Sequence, residues 1–365
     1  MLKKWKTICI LLCLSISLFF YSYHQESKVK NNTLGTLEIY YIDVGQGDAI
    51  CITCNKEAML IDGGDSSSSS TIYSFLEQHN ITDLKYIVVS HPHEDHVGGL
   101  SGAIQYAECE EILTPTTSYD SGSYSTFLSK AQEKEIEVHV AQSEETYTLA
   151  DATFTIYLPS NAEDENNYCS IVKLNYGNTS FLFTGDAEMN EEHSLIKAYG
   201  SELQSDVIKV NHHGSSDGFD INWYATVQPS HAIISCGKGN LYGHPHQSTL
   251  DYLKSNDIDT YRTDLQGTIL CTSDGTNIQF ETEKETDKDI YVASTISQES
   301  VITVDTTIVS NYVLNTHSMK VHKPTCESVN DISMHNKQEV KTSLDSLLEE
   351  GYSLCKNCLQ VYEKQ

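Results

Sequence analysis

His91-Pro92-His93-Glu94-Asp95-His96-Val97-Gly98-Gly99 is the stretch that decides the fold of this chain. It follows Tyr86-Ile87-Val88-Val89-Ser90, an apolar and largely β-branched run that predicts a buried strand ending where the first histidine begins. Two glycines close the stretch, and glycine lets the backbone turn sharply. The sequence therefore predicts a tight loop, rich in donor atoms, at the end of a buried strand.

Four side chains of this loop are candidate metal ligands. Side chains share a face at a spacing of two residues in a strand and of three or four in a helix. His91 and His93 therefore suit a metal ion on one side of the loop, and Asp95 and His96 suit an ion on another side. The loop can thus aim two pairs of ligands at two adjacent ions. Nitrogen and oxygen donors of this kind suit zinc, with manganese or iron as alternatives. A solvated, histidine-rich loop is the competing interpretation, and so many donors within six residues favour the metal site.

The charge balance limits the classes of partner. The 365 residues carry 51 acidic and 23 basic side chains, for a formal net charge of -28. This balance argues against a broad nucleic-acid-binding surface, because neutralising phosphates requires clustered lysine and arginine. It does not exclude a nucleic-acid substrate, since metal ions can hold one phosphate locally.

The N-terminus resembles a targeting segment. Lys3, Lys4 and Lys6 precede an apolar run over 7–23 that fits an export signal and is barely long enough to span a bilayer. A buried core helix is the alternative, which the lysines disfavour. We therefore predict that 1–35 is an uncleaved signal anchor or a signal peptide. The rest of the protein would then lie on the extracellular face of the cytoplasmic membrane or be secreted.

Strand and helix patterns alternate from residue 37 onward. The pattern predicts strands over 37–42, 58–61 and 86–90, with a helix over 71–80 that carries apolar residues at helical spacing. Alternation of this kind favours an α/β layer architecture.

Further short motifs surround the histidine-rich loop. They are Asp43-Val44-Gly45-Gln46-Gly47-Asp48-Ala49, Leu60-Ile61-Asp62-Gly63-Gly64, Phe183-Thr184-Gly185-Asp186, His212-His213-Gly214-Ser215 and Gly243-His244-Pro245-His246. Together with the loop, they resemble the metallo-β-lactamase superfamily and, within it, the hydrolase domain of the ComEC competence proteins. The resemblance implies an α/β fold of the four-layer αββα sandwich type, so we expect a hydrolase domain over 36–282. We further expect a stand-alone, exported relative of that domain and not a channel.

The second half of the chain holds the remaining candidate ligands. The resemblance assigns Asp186 the role of bridging two metals, although an aspartate there could equally cap a helix. Two adjacent histidines cannot both point the same way from extended backbone, so one should bind metal and the other face substrate. We assign His213 as the ligand and His212 as the substrate-facing, catalytic partner, and the order stays open.

Three further residues are candidates for the substrate side of the site. His244 is a candidate last ligand, phosphate contact or general acid, and Ser215 and Lys238 are candidate substrate contacts. Many enzymes of this superfamily place one more histidine ligand before the bridging aspartate. Here only His139 lies in that interval, and we interpret it as a surface residue. One of two Zn²⁺ (or Mn²⁺) ions would therefore have fewer protein ligands.

These candidates together predict a metal-dependent hydrolase. Two close metals lower the pKa of a bound water, polarise a phosphoryl oxygen and stabilise the charge on the leaving group. Asp95 is among the residues that would hold these metals. We predict a phosphodiesterase or nuclease, with single-stranded DNA as the first substrate to test. A hydrolase acting on choline phosphate or a wall polymer, and a non-catalytic surface adaptor, are the alternatives.

The C-terminal part of the chain predicts a second metal site. After a charged linker over 283–310, the unit 311–365 holds His322, Cys326, Cys355 and Cys358. Their spacing resembles the small zinc-binding domain of Ada-type DNA-repair proteins, with a histidine in the first place. A Cys₃His set accepts one structural Zn²⁺ readily. A Cys355–Cys358 disulfide is the alternative, and protein, cell wall and DNA are all open as partners of this unit.

Overall fold

Two large β-sheets form the centre of the molecule, here described from a computed structural model that covers residues 35–159, 169–293, 309–324, 326–329, 332–355 and 358–359. The first sheet consists of Leu37–Tyr41 (β1), Ile50–Cys54 (β2), Glu57–Ile61 (β3), Asp83–Val88 (β4), Glu108–Thr114 (β5), Glu137–Val140 (β6), Ile269–Ser273 (β14) and Ile278–Thr282 (β15). Its spatial order is β15-β14-β1-β2-β3-β4-β5-β6. The second sheet consists of Thr146–Leu149 (β7), Ala152–Tyr157 (β8), Ile171–Tyr176 (β9), Thr179–Phe183 (β10), Val207–Lys209 (β11), His231–Ile234 (β12) and Asp259–Arg262 (β13), in the order β13-β12-β11-β10-β9-β8-β7.

The two sheets pack face to face through aromatic side chains. The rings of Tyr86 and Phe154, from the first and second sheets, lie 5.4 Å apart edge to face. The rings of Tyr41 and Phe183 make a second aromatic contact, tilted by 38°, with centroids 6.2 Å apart. Central strands such as β11 are buried at every residue because one sheet face meets its partner sheet and the other meets helices.

Helices cover the outer face of each sheet. Against the first sheet lie Ser69–Gln78 (α1), Glu94–Val97 (α2), Leu100–Tyr106 (α3) and Gly122–Glu133 (α4). Met189–Tyr199 (α5), Ile221–Val227 (α6), Gln247–Ser255 (α7) and Thr263–Gln266 (α8) follow in the second half of the chain. In α1 the buried residues Ile72, Phe75 and Leu76 recur at helical spacing, which explains why this face meets the sheet. The predicted four-layer αββα sandwich is confirmed.

A small third sheet lies at the C-terminus. It consists of Ser310–Asn315 (β16), Lys320–His322 (β17), Lys337–Thr342 (β18) and Ser353–Leu354 (β19), in the order β18-β16-β17-β19, with Leu344–Glu349 (α9) packed beside it. Its apolar core includes Tyr312, Val321 and Leu347. The described residues from Thr36 onward belong to one compact unit, so this small sheet packs with the two large ones.

The segment that follows the last strand of the first sheet is described as far as residue 293, and its end packs against the hydrolase domain. The fully buried Arg262 donates hydrogen bonds to the carbonyl oxygens of Ile290 (2.8 Å) and Val292 (2.7 Å). The Tyr291 hydroxyl donates to the carbonyl of Ile258 at 2.9 Å. The charged residues 283–289 are largely exposed, Arg262 and Tyr291 hold the residues after them, and the bounds of the linker stay a prediction.

The predicted signal segment over 1–35 lies almost wholly outside the described residues and stays a prediction. In the part of the chain that the structure does describe, none of the helices has the length and apolar character needed to cross a membrane.

Candidate metal centre

The candidate ligands lie where strand ends of the two sheets converge. In the first sheet β3 and β4 run parallel, and β4 leads into the loop that carries His91. In the second sheet β10, β11 and β12 run parallel, with Asp186 following β10 and His213 following β11. Carboxyl ends of parallel strands share one edge of a sheet, so residues far apart in sequence meet there.

One group of four ligand atoms is close enough to hold a single ion. Side-chain atoms of Asp95, His96, Asp186 and His213 all lie within 4.8 Å of one another. Nε2 of His96 is 3.3 Å from Oδ2 of Asp186, and Nε2 of His213 is 3.3 Å from Oδ1 of the same carboxylate. The distance from His213 Nε2 to Oδ2 of Asp95 is 3.4 Å. Asp186 therefore sits between two imidazoles, one from each sheet.

Buried atoms without hydrogen bonds support the metal interpretation. Nε2 of His91, His96 and His213 and Oδ1 of Asp186 are all buried, and none has a hydrogen-bond partner. A buried polar atom without a partner costs free energy, so such atoms rarely gather in one place without a ligand. Two nitrogens and two carboxylates also form a donor set that a divalent cation accepts. The residues present fit the metal ion.

The far side of each ring is fixed. Nδ1 of His96 lies 2.8 Å from Oδ2 of Asp62, and Nδ1 of His213 lies 2.9 Å from the carbonyl oxygen of Ser235. These acceptors keep the proton on Nδ1 and leave Nε2 free to bind a cation, as the hydrogen-bond partners of metal-bound histidines do. Asp62 is anchored in turn by the backbone N–H of Ser90, at 2.8 Å.

The two adjacent histidines sit in an unusual backbone conformation. His212 and His213 have φ angles of 44° and 53°, in the left-handed region that residues with a Cβ rarely adopt. Asn211 holds this turn: its amide donates to Oε1 of Glu192 at 2.8 Å, and its oxygen accepts from Nε1 of Trp223 at 3.1 Å. The turn sends His213 into the four-atom group, whereas His212 stays partly exposed, with Nε2 at 3.8 Å from Asp186.

Close backbone approach also shapes the centre. Gly47 has a φ of 131°, and a Cβ there would lie 2.2 Å from the carbonyl oxygen of Asp95. The loop after β1 can therefore reach the metal loop only because this residue is glycine. The contact brings Asp48 underneath His96 and His213.

Electrostatics favour a cation in this place. Burial alone would raise the pKa of Asp186, but His213, His96 and His212 hold it well below its usual range. Burial lowers the pKa of His91, and the neighbouring rings of His96 and His93 lower it further, so this imidazole is neutral. Burial lowers the pKa of His96 and His213, but Asp186 and the neighbouring carboxylates raise it well above its usual value, so the place where these ligand atoms meet favours positive charge.

A second ion would bind on the side of His91 and His93. Their ring centroids are 4.6 Å apart, and Nε2 of His91 lies 3.9 Å from Oδ2 of Asp186. Within the described ranges these two histidines do not join a further group of three close ligand atoms. His139 contributes nothing here, because its Nε2 lies 2.8 Å from the Glu145 carboxylate. The second position therefore has a smaller protein ligand set than the first.

The remaining candidates lie around the cleft above the centre. His244 lines this cleft, and its ring centroid is 5.5 Å from that of His212. Burial and the neighbouring histidine rings lower the pKa of His244 to about 3, so its imidazole is neutral. Ser215 also lines the cleft, where its Oγ accepts from the backbone N–H of Asp217. Lys238 is exposed and lies outside the set of residues that line the cleft, so its assignment as a substrate contact stays a prediction.

Sequence reasoning missed a buried ion pair beneath the centre. Nζ of the fully buried Lys209 lies 2.5 Å from Oδ2 of Asp48, and it donates to the carbonyl of Gly185 at 3.0 Å. Burial would lower the pKa of Lys209, but Asp48 and Asp186 raise it above its ordinary value. A lysine inside the apolar strand β11 was the available signal, because lysine is almost never fully buried without a partner.

The C-terminal cysteines form a second candidate metal site. One ligand atom from each of His322, Cys326, Cys355 and Cys358 lies within 4.8 Å of the others. The three cysteines are not joined in disulfides, and Sγ of Cys326 is 3.9 Å from Sγ of Cys355. Two thiolates in a zinc tetrahedron, with bonds of about 2.3 Å, lie about 3.8 Å apart. Both ring nitrogens of His322 are buried without a hydrogen-bond partner, so this set also fits a metal ion.

The fold and the centre define a class of protein. The Metallo-beta-lactamase superfamily matches residues 42–257, more than half of the chain, and the chain belongs to that superfamily. Its fold and donor set are those of a metal-dependent hydrolase.

Among curated proteins the chain is similar to competence proteins. It is 27% identical over 252 residues to ComE operon protein 3 of Bacillus subtilis, covering 64% of this chain and 32% of that protein. Recombination protein 2 of Haemophilus influenzae is 29% identical over 251 residues, covering 67% of this chain and 28% of that protein. The chain thus spans about a third of the length of these relatives. The predicted resemblance to the hydrolase domain of the ComEC competence proteins is confirmed.

A solved structure also aligns with this chain. Igni18, a metallo hydrolase from the archaeon Ignicoccus hospitalis, is 11% identical with a TM-score of 0.45, covering 65% of this chain and 98% of that chain.

Proposed function

We propose that this chain is a binuclear metal-dependent phosphodiesterase that cleaves single-stranded DNA. The observation that carries the proposal is the convergence of buried, unbonded Nε2 atoms of His91, His96 and His213 around the ionised Asp186. The similarity to competence proteins supports DNA as the substrate to test first. The protein would act on the extracellular face of the cytoplasmic membrane or as a secreted enzyme, as the basic and apolar start of the chain indicates.

The chain's own residues would divide the work. Asp95, His96, Asp186 and His213 would hold one Zn²⁺ or Mn²⁺, and His91 and His93 would contribute to a second beside it. Bound divalent ions supply Lewis acidity and lower the pKa of water. Asp62 and the Ser235 carbonyl keep the ligand rings in one orientation, so no reorganisation is needed when substrate arrives.

The cleft histidines would handle the phosphate. His212 is half-buried at the edge of the centre, within 3.8 Å of Asp186, and its Nδ1 lies 3.3 Å from Oε1 of Glu188. Glu188 can thus orient the ring of His212 for a hydrogen bond to a phosphoryl oxygen or to the leaving group. His244 is neutral at pH 7 and would hold the substrate by hydrogen bonding.

The test uses the purified full-length chain in detergent. With added Zn²⁺ or Mn²⁺ we expect turnover of bis(p-nitrophenyl) phosphate and of a single-stranded oligonucleotide. Asp95→Ala should abolish both activities, because Asp95 lies 3.4 Å from the ligand nitrogen of His213. Asp83→Ala, which alters an exposed aspartate at the start of β4, is the matched control. Absence of turnover on both esters by the metal-loaded wild type would refute the phosphodiesterase.

A phosphoester with a cationic group is the second candidate substrate. Seven carboxylate side chains line the cleft, together with Tyr119 and Tyr242. Carboxylates and aromatic faces attract a quaternary ammonium group. Hydrolysis of p-nitrophenylphosphorylcholine with no cleavage of DNA would select this alternative.

A further inference from the structure

The C-terminal unit forms one wall of the cleft above the metal centre. The cleft has a volume of about 980 Å³. On one side it is lined by hydrolase residues that include His93, Asp95 and His212. On the other side it is lined by C-terminal residues that include His317 and Lys320. A substrate longer than one phosphodiester would therefore contact both the hydrolase residues and the C-terminal unit.

A specific contact ties this wall to the hydrolase domain. The carboxylate of Asp120, in the segment between β5 and α4, accepts hydrogen bonds from Oγ of Ser333 (2.9 Å) and Nδ2 of Asn336 (2.7 Å). The neighbouring Tyr119 has its ring centroid 5.9 Å from that of His93. The contact thus lies one residue from a side chain that touches the metal loop, and it fixes the wall beside the centre.

Strand β17 presents its first residue to the cleft. Val321 is fully buried in the small C-terminal core, and His322 is buried in the cysteine cluster that follows. Lys320 is exposed at the start of the strand and shares with His322 the face that lines the cleft, whereas Val321 points to the opposite face, because successive side chains of a strand alternate. The buried neighbours hold the strand in place, so the position of the lysine stem is defined.

Lys320 brings a positive charge to a cleft that is lined mainly by acidic side chains. It is the only lysine or arginine among the described residues that line the cleft, against seven carboxylates. Two of those, Asp95 and Asp186, belong to the candidate metal set, and Asp120 is engaged by the C-terminal unit. An anionic chain can bind in such a cleft only where cations offset the carboxylates, namely at the metal centre and at Lys320.

We propose that Lys320 is a substrate-binding residue that contacts a phosphate flanking the scissile one in a single-stranded phosphodiester chain. The inference rests on the proposed function for its substrate class. It gives the C-terminal unit a role in selecting polymeric over small esters. The metal centre takes the phosphate to be cleaved, and the wall takes a neighbouring phosphate of the same strand.

The experiment measures binding and turnover separately. A fluorescent single-stranded oligodeoxynucleotide is titrated with metal-loaded full-length protein over a salt series, and anisotropy gives Kd. Lys320→Gln should raise Kd about five- to tenfold at about 50 mM salt, because a single-strand phosphate contact contributes about 0.7 to the slope of log K against log salt. The slope itself should fall by about 0.7, which a purely structural role would not produce. On bis(p-nitrophenyl) phosphate the loss of kcat/KM should be smaller than on the oligonucleotide.

Lys341→Gln is the matched control, because Lys341 is exposed on β18 of the same unit and does not line the cleft. A weaker Kd and a reduced slope for Lys320→Gln alone support the inference. Equal behaviour of the two variants, or no binding by the wild type, overturns it. If bis(p-nitrophenyl) phosphate is hydrolysed while Lys320→Gln leaves oligonucleotide binding intact, the inference fails and the phosphodiesterase stands. If no ester is hydrolysed, the phosphodiesterase fails, and the binding slopes still decide the role of Lys320.

Discussion

Replacing Asp62 by asparagine tests whether the centre depends on the proton position of one ligand ring. Oδ1 of Asp62 accepts from the Ser90 backbone N–H at 2.8 Å, so the amide oxygen of an asparagine should keep that place. Its NH₂ group would then face Nδ1 of His96, which now lies 2.8 Å from Oδ2. Two donors cannot bond each other, so the His96 proton should move to Nε2, the atom aimed at the metal. Asp62 has a φ of 57°, which asparagine tolerates, so the backbone should not change.

The expected size of the effect follows from that geometry. Partners of metal-bound histidines typically contribute 10- to 100-fold to metal affinity, which corresponds to about 1.4–2.7 kcal/mol. The loss of metal affinity in Asp62→Asn should lie at the upper end of this range, because the substitution removes a hydrogen-bond acceptor and also places a proton on the ligand atom. Activity should fall in parallel at limiting metal and recover in part when the metal is in excess.

The assay is a titration of metal-free protein with Zn²⁺ in competition with a fluorescent chelator. The C-terminal cysteine cluster should bind its own ion with unchanged affinity and so provides an internal reference. Asp83→Asn, on the exposed start of β4, is the matched control. Wild-type affinity at the hydrolase site in a folded Asp62→Asn variant would refute the proton-position argument.

Three further outcomes follow from other parts of the molecule. Arg262→Ala should lower the free energy of unfolding by about 3–5 kcal/mol in urea denaturation, since it removes the cation that pairs with the buried carboxylate of Asp264; a loss below 1 kcal/mol would contradict this. Burial raises the pKa of Glu192 to about 9. The free energy of unfolding should therefore be highest below about pH 4.5, where this group is protonated in both states, and should fall as pH rises towards 9. Glu192→Gln should remove this dependence on pH and raise the free energy of unfolding by about 3 kcal/mol at pH 7; an unchanged pH dependence in urea denaturation would contradict the prediction. Cys355→Ser should reduce the metal content by one equivalent, measured by elemental analysis, while the hydrolase site stays loaded.

The sequence was most informative where one short segment carried the chemistry. The loop from His91 to His96 could be placed at a strand end because apolar periodicity and ligand type both act locally. The four-layer fold followed from motifs that lie in the same order as in a known family. Strand ends were less well predicted: β4 ends at Val88, before the predicted end of the strand at residue 90.

Features that depend on packing between distant segments were missed. The Asp48–Lys209 pair joins the loop after β1 to strand β11, and neither residue alone signals the other. Lys238 was the lysine predicted to contact substrate, whereas the lysine that lines the cleft, Lys320, belongs to the C-terminal unit. The packing of that unit depends on hydrogen bonds to Asp120 from residues more than two hundred positions later, which no local pattern encodes.

The position of β1 has a consequence for how the chain acquires its structure during synthesis. This first strand is bracketed by β2 and by β14, and just beyond its end the Asp43 amide donates to Thr268 Oγ1, 225 residues away. The sheet that carries the histidine-rich loop therefore stays open along one side of β1 until nearly the whole hydrolase domain has left the ribosome. Closing pairings of such long range is slow, because the entropy of a large loop must be lost first. A nascent chain truncated before residue 269 should consequently expose an unpaired apolar strand and be a preferred client of chaperones.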